Sequence, residues 1–462
     1  MRIASVNPST GETLQEFDAA STAEVDVAMT TARTAQRDWA AESTEHRLDV
    51  LRRLTLVIQS EFEPLLDIIQ TETGRMRPDA EAELLDVSDA IPYYINQLET
   101  LPRLIDVKID ESAFPDTDLT LSYAPHGVIA LIMPWNFPFY LPMMTTIAAL
   151  LTGNAVILKP SEFSTMVALK INELFEAAGL PSGLFQVLPG ADDSGRALVD
   201  GRPDKIFFVG SVVTGKEIIA RSGVTPVQVE LGGNSAALVL ADADLDLAAN
   251  GIAWAATYHA GQDCAGIKRV FVHESVADEF VNKVKMVLDG LRPGIDYGPY
   301  ITGEARADVK SRIDDAVNAG AVLITGGDVQ PSTPGFWMTP SILMVADQRT
   351  DLVAKETFGN VIPVQVVKSS QDAINEANNT EFGLSAAIFS RDVEAARLIA
   401  NEILSGMVFI NDPFINLPGG DHWTGWRQSG FGTMESKLEQ CLRRKVIGAN
   451  RGGHTRPFWY PY

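Results

Sequence analysis

From about residue 120 onward, short runs rich in β-branched residues alternate with stretches whose apolar residues recur at helical spacing, and no other feature constrains the fold as much. Parallel strands need a crossover of a dozen or more residues, usually a helix, so the pattern predicts successive βαβ units. The spacing predicts strands over 128–133, 154–159, 205–209 and 227–231, with helices opening at Ser161 and after Gly210-Ser211. A second series is expected beyond Gly232, with strands over 236–240, 269–272, 363–367, 386–390 and 407–411 and helices over 243–260 and 276–291. At 462 residues the chain is too long for one ordinary core. The expectation is an α/β protein with two doubly wound, Rossmann-like lobes that meet near residues 230–233, where a crevice can take a ligand.

Residues 127–153 carry no charged side chain and are long enough to cross a bilayer. Pro134, Pro138 and Pro142 recur every fourth residue, however, and each removes a backbone donor that lipid cannot replace. The stretch is therefore expected as a buried strand, an irregular loop and a packed helix. A net charge of −23, from 37 basic and 60 acidic residues, speaks against nucleic acid, whose phosphates require clustered cations. With only Cys264 and Cys441 there is no disulfide framework, and Met1–Pro8 has no apolar signal core, so a reduced cytoplasmic location is expected. The six histidines and two cysteines show no metal-ligand spacing.

Three residues carry candidate chemistry. Cys264, in Gly261-Gln262-Asp263-Cys264-Ala265-Gly266, reads either as a small buried hydrophobe or as a nucleophile whose thiolate adds to a carbonyl. Glu230, in Glu230-Leu231-Gly232-Gly233-Asn234, reads either as a surface carboxylate at a strand end or as a general base for water; the glycines after it permit close backbone approach. Asn136 lies between two prolines, where it either makes a local turn or donates its amide N–H to an oxyanion, together with the Cys264 backbone N–H.

Pro134-Trp135-Asn136-Phe137-Pro138 and the contexts of Glu230 and Cys264, 34 positions apart, resemble the aldehyde dehydrogenase superfamily. The resemblance covers essentially the whole chain, from Asn7-Pro8 to the tail. It implies an NAD-binding domain over 1–107 and 126–231, a catalytic domain over 232–430, and a small β oligomerisation arm with a C-terminal tail over 108–125 and 431–462. It further implies oxidation of an aldehyde to a carboxylic acid through a Cys264 thiohemiacetal and thioester. Family members that transfer the acyl group to coenzyme A commonly lack the carboxylate found here at Glu230, so hydrolysis is favoured.

For the cofactor, the resemblance places Met133, Pro134, Trp135 and Leu231 near the dinucleotide. Gly210, Ser211 and Thr214 would present a helix N-terminus to the pyrophosphate. Lys159, Ser161 and Glu162 would hold the adenosine ribose, and Glu356 and Phe358 the nicotinamide end. A carboxylate at Glu162 would repel a 2′-phosphate, so NAD is expected over NADP. Tyr140, Leu141, Met144 and Trp423 would line the substrate tunnel. Met144 stands where dehydrogenases of short acidic semialdehydes often carry arginine, which favours uncharged aromatic or medium-chain aliphatic aldehydes. Asp263 keeps an aminoaldehyde open, a semialdehyde is a further alternative, and a catalytically silent binding protein is the alternative of another class. A homodimer or homotetramer is expected, with no membrane partner. Two departures from the family pattern are the loop His422–Gly430 and Asn360, which replaces a common proline.

Overall fold

The computed structural model describes residues 1–101, 104–329, 333–414, 423–431 and 435–452. Strands β1 (Arg2–Val6) and β2 (Thr13–Asp18) form an antiparallel hairpin. Helices α1 (Thr22–Ala41), α2 (Thr44–Ser60), α3 (Phe62–Thr73) and α4 (Arg77–Thr100) follow. Ser21 and Glu24 close a reciprocal capping box on α1, and Ser43 caps α2, so both starts are written in local sequence. The apolar stripes of these helices, including Val25, Leu54 and Ile69, join the core beneath the first parallel sheet.

Strands β3 (Leu104–Asp106) and β4 (Thr117–Pro125) lead into that sheet. It is built from β5 (Val128–Ile132), β6 (Ala155–Lys159), β7 (Phe185–Val187), β8 (Lys205–Gly210) and β9 (Val227–Leu231). Their order is β7-β6-β5-β8-β9 and all neighbours are parallel. The connections reverse direction at β5, so a crevice opens at the carboxyl ends of β5 and β8. The uncharged stretch divides as expected into fully buried β5, a proline-rich loop, and helix α5 (Tyr140–Leu151), buried from Pro142 to Leu151. Helices α6 (Thr165–Ala177), α7 (Asp192–Asp200) and α8 (Val212–Ser222) complete this half. Ser161 caps a single 3-10 turn before α6 rather than α6 itself.

Residues 232–234 are all that separate β9 from β10 (Ser235–Val239), so the carboxyl end of one sheet runs straight into the amino end of the next. After α9 (Leu245–Thr257), β11 (Ile267–His273) and α10 (Ala277–Gly290) come β12 (Val322–Thr325), β13 (Ser341–Val345), β14 (Val361–Val367), β15 (Ser385–Phe389) and β16 (Met407–Ile410). The seven strands are ordered β12-β13-β14-β11-β10-β15-β16, and only the β12–β13 pairing is antiparallel. The molecule is thus α/β with two doubly wound sheets, the first parallel and the second parallel but for its β12 edge.

A third sheet pairs β17 (Leu442–Asn450) with β4, and β4 with β3. The segment from 431 is not all tail: Leu438 and Cys441 are buried in the first core, and β17 extends outward with Val446 and Ile447 exposed. The aromatic end Arg456–Tyr462 lies outside the described residues. Among the described residues, no helix is long and apolar enough to cross a membrane, and no cluster of His, Cys, Asp or Glu could hold a metal ion.

Candidate active site

The loop that carries Cys264 is shaped by backbone that helices avoid. After α9 ends at Thr257, His259, Ala260 and Gly261 take φ values of 47°, 56° and 72° in succession. Two non-glycine residues in that left-handed region cost on the order of 1–2 kcal/mol each, so the surroundings must hold them. Gln262 does so from a fully buried position. Its amide donates to the carbonyls of His259 (3.0 Å) and Pro299 (3.2 Å) and accepts from the Ile301 N–H (2.9 Å). Asn136, delivered by the loop after β5, is buried, and its Nδ2 donates to the Gln262 carbonyl at 3.1 Å. That bond uses one of two amide hydrogens and leaves the other for a ligand.

Cys264 is partly exposed, whereas Cys441 is buried in the core. The Asp263 carboxylate accepts from the Ala265 N–H at 3.0 Å and from the Cys264 thiol. Burial pushes the Cys264 thiol up, and Asp263, Glu356 and Glu230 add to the shift, while Lys268 opposes it.

Gly232 and Gly233 bring the motifs together. A Cβ at Gly232 would collide with the Glu356 carboxylate, and one at Gly233 with the Cys264 carbonyl. The Gly233 N–H donates to Glu356 Oε1 at 3.1 Å. Glycine is needed here because two other loops pack onto the linker's backbone. From the other side, Ser429 Oγ donates to the Gly232 carbonyl at 2.7 Å, and Gly430 bridges to Glu230. Ser429 and Gly430 of the departed loop therefore clamp the linker and the strand end before it; His422 lies outside the described residues.

Glu230 stands at the end of β9. Gln228 Nε2 donates to its Oε1 at 3.3 Å, and Oε2 is buried with no hydrogen-bond partner. Burial raises this carboxyl to about 8, with the charge of Lys437 and the Gln228 bond pulling the other way.

One cavity of about 350 Å³ contains Cys264 and Glu230 together, within the usual range of small-molecule sites. Tyr140, Leu141, Met144, Asp263 and Trp423 line it, as does Met133. Sequence reasoning missed several wall residues: Phe137, Trp254, Tyr258 and Phe414 add aromatic surface, and Asp86 and Lys437 add charge. It also missed a buried ion pair behind the wall, in which Arg75 Nε lies 3.0 Å from Glu83 Oε1 with both side chains at most 2% exposed. Arg75 donates to the Asn136 carbonyl and to the Tyr258 hydroxyl, and its guanidinium covers the Phe137 ring at 4.3 Å. Glu83 accepts from the N–H groups of Phe139 and Tyr140. The one available signal was a glutamate at a position where α4 turns its apolar face inward.

A second crevice lies at the carboxyl ends of β5 and β6, with Lys159, Asp192, Arg196 and Thr214 on its walls. Burial lowers the Lys159 ammonium, and Glu162 and Asp192 counter that shift. Ser211 caps α8, accepting from the Thr214 N–H at 3.2 Å, directly after Gly210. Ser161 Oγ bonds Glu162 Oε2 at 3.3 Å, which leaves the second carboxylate oxygen of Glu162 for a diol. The Trp135 ring meets the Phe358 ring edge-on at 5.8 Å. Leu231 is buried under α8, pressed against Gly215. A helix N-terminus, a buried lysine and a nearby carboxylate fit a dinucleotide.

The aldehyde dehydrogenase family model matches residues 1–447. A 3,6-anhydro-alpha-L-galactose dehydrogenase from Streptomyces coelicolor is 33% identical over 458 residues, covering 96% of this chain and 92% of its own. The peroxisomal aminoaldehyde dehydrogenase 1 of Pisum sativum is 33% identical over 470 residues, with the same two coverages of 96% and 92%. A crystal structure of Staphylococcus aureus betaine aldehyde dehydrogenase in complex with NAD+ superposes with a TM-score of 0.93 at 27% identity, covering 100% of this chain and 96% of that one. With a full-length family match and relatives of this identity, the chain belongs to the aldehyde dehydrogenase family and is an aldehyde dehydrogenase.

Proposed function

We propose that this enzyme oxidises an uncharged aromatic or medium-chain aliphatic aldehyde to the free carboxylic acid, with NAD as the favoured cofactor and Cys264, Glu230 and Asn136 as the catalytic residues. The observation that carries the reading is the single cavity in which the thiol and a partner-poor, buried carboxylate face one largely apolar wall.

The Cys264 thiolate forms a C–S bond to the aldehyde carbon and leaves an alkoxide. The free Nδ2 hydrogen of Asn136 and the Cys264 backbone N–H donate to that alkoxide. When bound, the nicotinamide supplies the acceptor for the hydrogen and electron pair that the carbon loses. Glu230 then takes a proton from water as it attacks the Cys264 thioester; the C–S bond breaks, and the acid and the thiol are released. A base raised to about 8 is poised for this at mildly alkaline pH. Glu162 favours NAD by repelling a 2′-phosphate. The exposed apolar residues Val446 and Ile447 on the β17 edge support association into a homo-oligomer.

Charge decides the substrate class. Glu83 is held by Arg75, Asp263 is engaged by the thiol and the Ala265 N–H, and Glu230 faces Lys437. A cationic or anionic substrate would displace these arrangements, whereas an apolar one leaves them intact. A second reading, an aminoaldehyde, is favoured by Asp86, which lines the same cavity as the aromatic rings of Tyr140 and Trp254. Measuring kcat/KM for benzaldehyde, hexanal, 3-aminopropanal and succinic semialdehyde separates these readings. A clear preference for succinic semialdehyde would overturn both, and one for 3-aminopropanal would replace the first by the second.

A further inference from the structure

Lys268 is the second residue of β11, four after Cys264, and it is only 2% exposed. A buried ammonium is costly unless it is bonded and set beside negative charge. Its neighbour Arg269 is as buried but spends its guanidinium on structure, donating to the carbonyls of Asn234 and Ala377. Lys268 instead turns back toward the Cys264 loop. Its Nζ donates to the Gly261 carbonyl, at the start of the Cys264 loop, and lies 5.3 Å from the centroid of the Phe358 ring. Phe358 belongs to the same segment as Glu356, whose carboxylate is bonded to the Gly233 N–H against the Cys264 carbonyl. The ammonium thus sits between the candidate nucleophile's loop and the segment that packs onto it.

Asp263 from the loop, Glu230 from β9 and Glu356 all disfavour a negative charge on the thiol, and Lys268 is the cation that favours one. Burial lowers the Lys268 ammonium in turn, and the charges of Glu356, Asp263 and Cys264 counter that shift. Arg75 also reaches Asp263 but is bonded to Glu83, Asn136 and Tyr258. We propose that Lys268 is a positioning residue for the reaction: its ammonium braces the Gly261–Cys264 loop and is the fixed positive charge against which the Cys264 thiolate forms. The inference rests on reading Cys264 as the nucleophile.

The test is the pH dependence of alkylation of Cys264 by iodoacetamide, followed by intact mass, with Cys441 buried and protected. In Lys268→Met the midpoint should rise by about one pH unit or more, slowing alkylation at neutral pH ~tenfold. Lys268→Gln can keep a bond to the Gly261 carbonyl without the charge, and it should shift the midpoint as far. An unmoved midpoint in folded Lys268→Met overturns the proposal. So does recovery of the wild-type midpoint in Lys268→Gln, which would assign the effect to the bond, and so does failure of both variants to fold, which would assign Lys268 to structure. Turnover surviving in Cys264→Ala would sink the nucleophile reading separately, since the alkylation midpoint is read on the thiol whatever its role.

Discussion

Replacing Glu230 by Gln preserves volume and removes one ionisable group, and the structure predicts two separable consequences. The first is kinetic. Without the base, thioester hydrolysis slows while the first oxidation proceeds, so steady-state kcat should fall between about a hundredfold and ten-thousandfold. Stopped-flow absorbance should then show a burst of NADH near one per active subunit, followed by a slow phase. In the wild type the deacylation rate should climb as pH rises toward about 8, because only ionised Glu230 accepts the proton.

The second consequence is thermodynamic. Burial raises the folded-state carboxyl from the usual 4.5 to about 8. Between those values the unfolded chain has released the proton while the folded one still holds it. The stabilising contribution is therefore fully present below about pH 4.5 and is lost as pH rises through about 8. At roughly 1.4 kcal/mol per unit across that interval, the loss is about 5 kcal/mol as an upper bound. Gln has no such dependence, so the stability of Glu230→Gln relative to wild type should grow from about pH 5 and level off above pH 8. Denaturant melts at half-unit pH steps would check this. A constant difference across that window refutes the burial argument, and undiminished steady-state turnover refutes the assignment of the base.

Asn136→Ala should lower kcat by roughly a hundredfold to a thousandfold through loss of an oxyanion donor, with the NAD dissociation constant unchanged in a fluorescence titration. Glu162→Ser should narrow the ratio of kcat/KM between NAD and NADP; a wild type that uses both equally would show that this carboxylate does not discriminate. Arg75→Met leaves Glu83 buried and unpaired and should cost about 3–5 kcal/mol in chemical denaturation, part of which Arg75→Met with Glu83→Gln should restore.

The sequence revealed those parts of the molecule that rest on local rules. Strands buried on both faces, such as β5 and β6, are continuous β-branched or aliphatic runs, and their boundaries fall within a residue or two of the expected ones. Strands β7, β12 and β13 were not among the expected ones. The first is only three residues long, and β12 is a partly exposed antiparallel edge outside the βα rhythm. Cys264, Glu230 and Asn136 stood out because each sits in a dense context of glycine or proline. The close approach expected at Gly232-Gly233 appears as two avoided collisions, with Glu356 and with Cys264. Asn360 is a departure whose reason only the fold supplies: its N–H, which proline would lack, donates to the Tyr300 hydroxyl at 3.2 Å, and its side chain bonds the same hydroxyl and the Met338 carbonyl.

What local sequence could not reveal is which charges are inside. Arg75, Glu83 and Lys268 each read as one more solvated side chain on a strongly acidic protein, and their partners lie up to 183 positions away. Burial of a charge belongs to a pair or a cluster, so it becomes visible only when the partners are placed. Once placed, they divide the labour. Arg75 neutralises the acid behind the wall and holds the backbone of Asn136, and Lys268 faces the acids beside the thiol. Glu230 lacks a pairing this close, which is why its carboxyl is raised toward working pH, and the same want of a partner that costs stability is what its proposed role as base for water draws on.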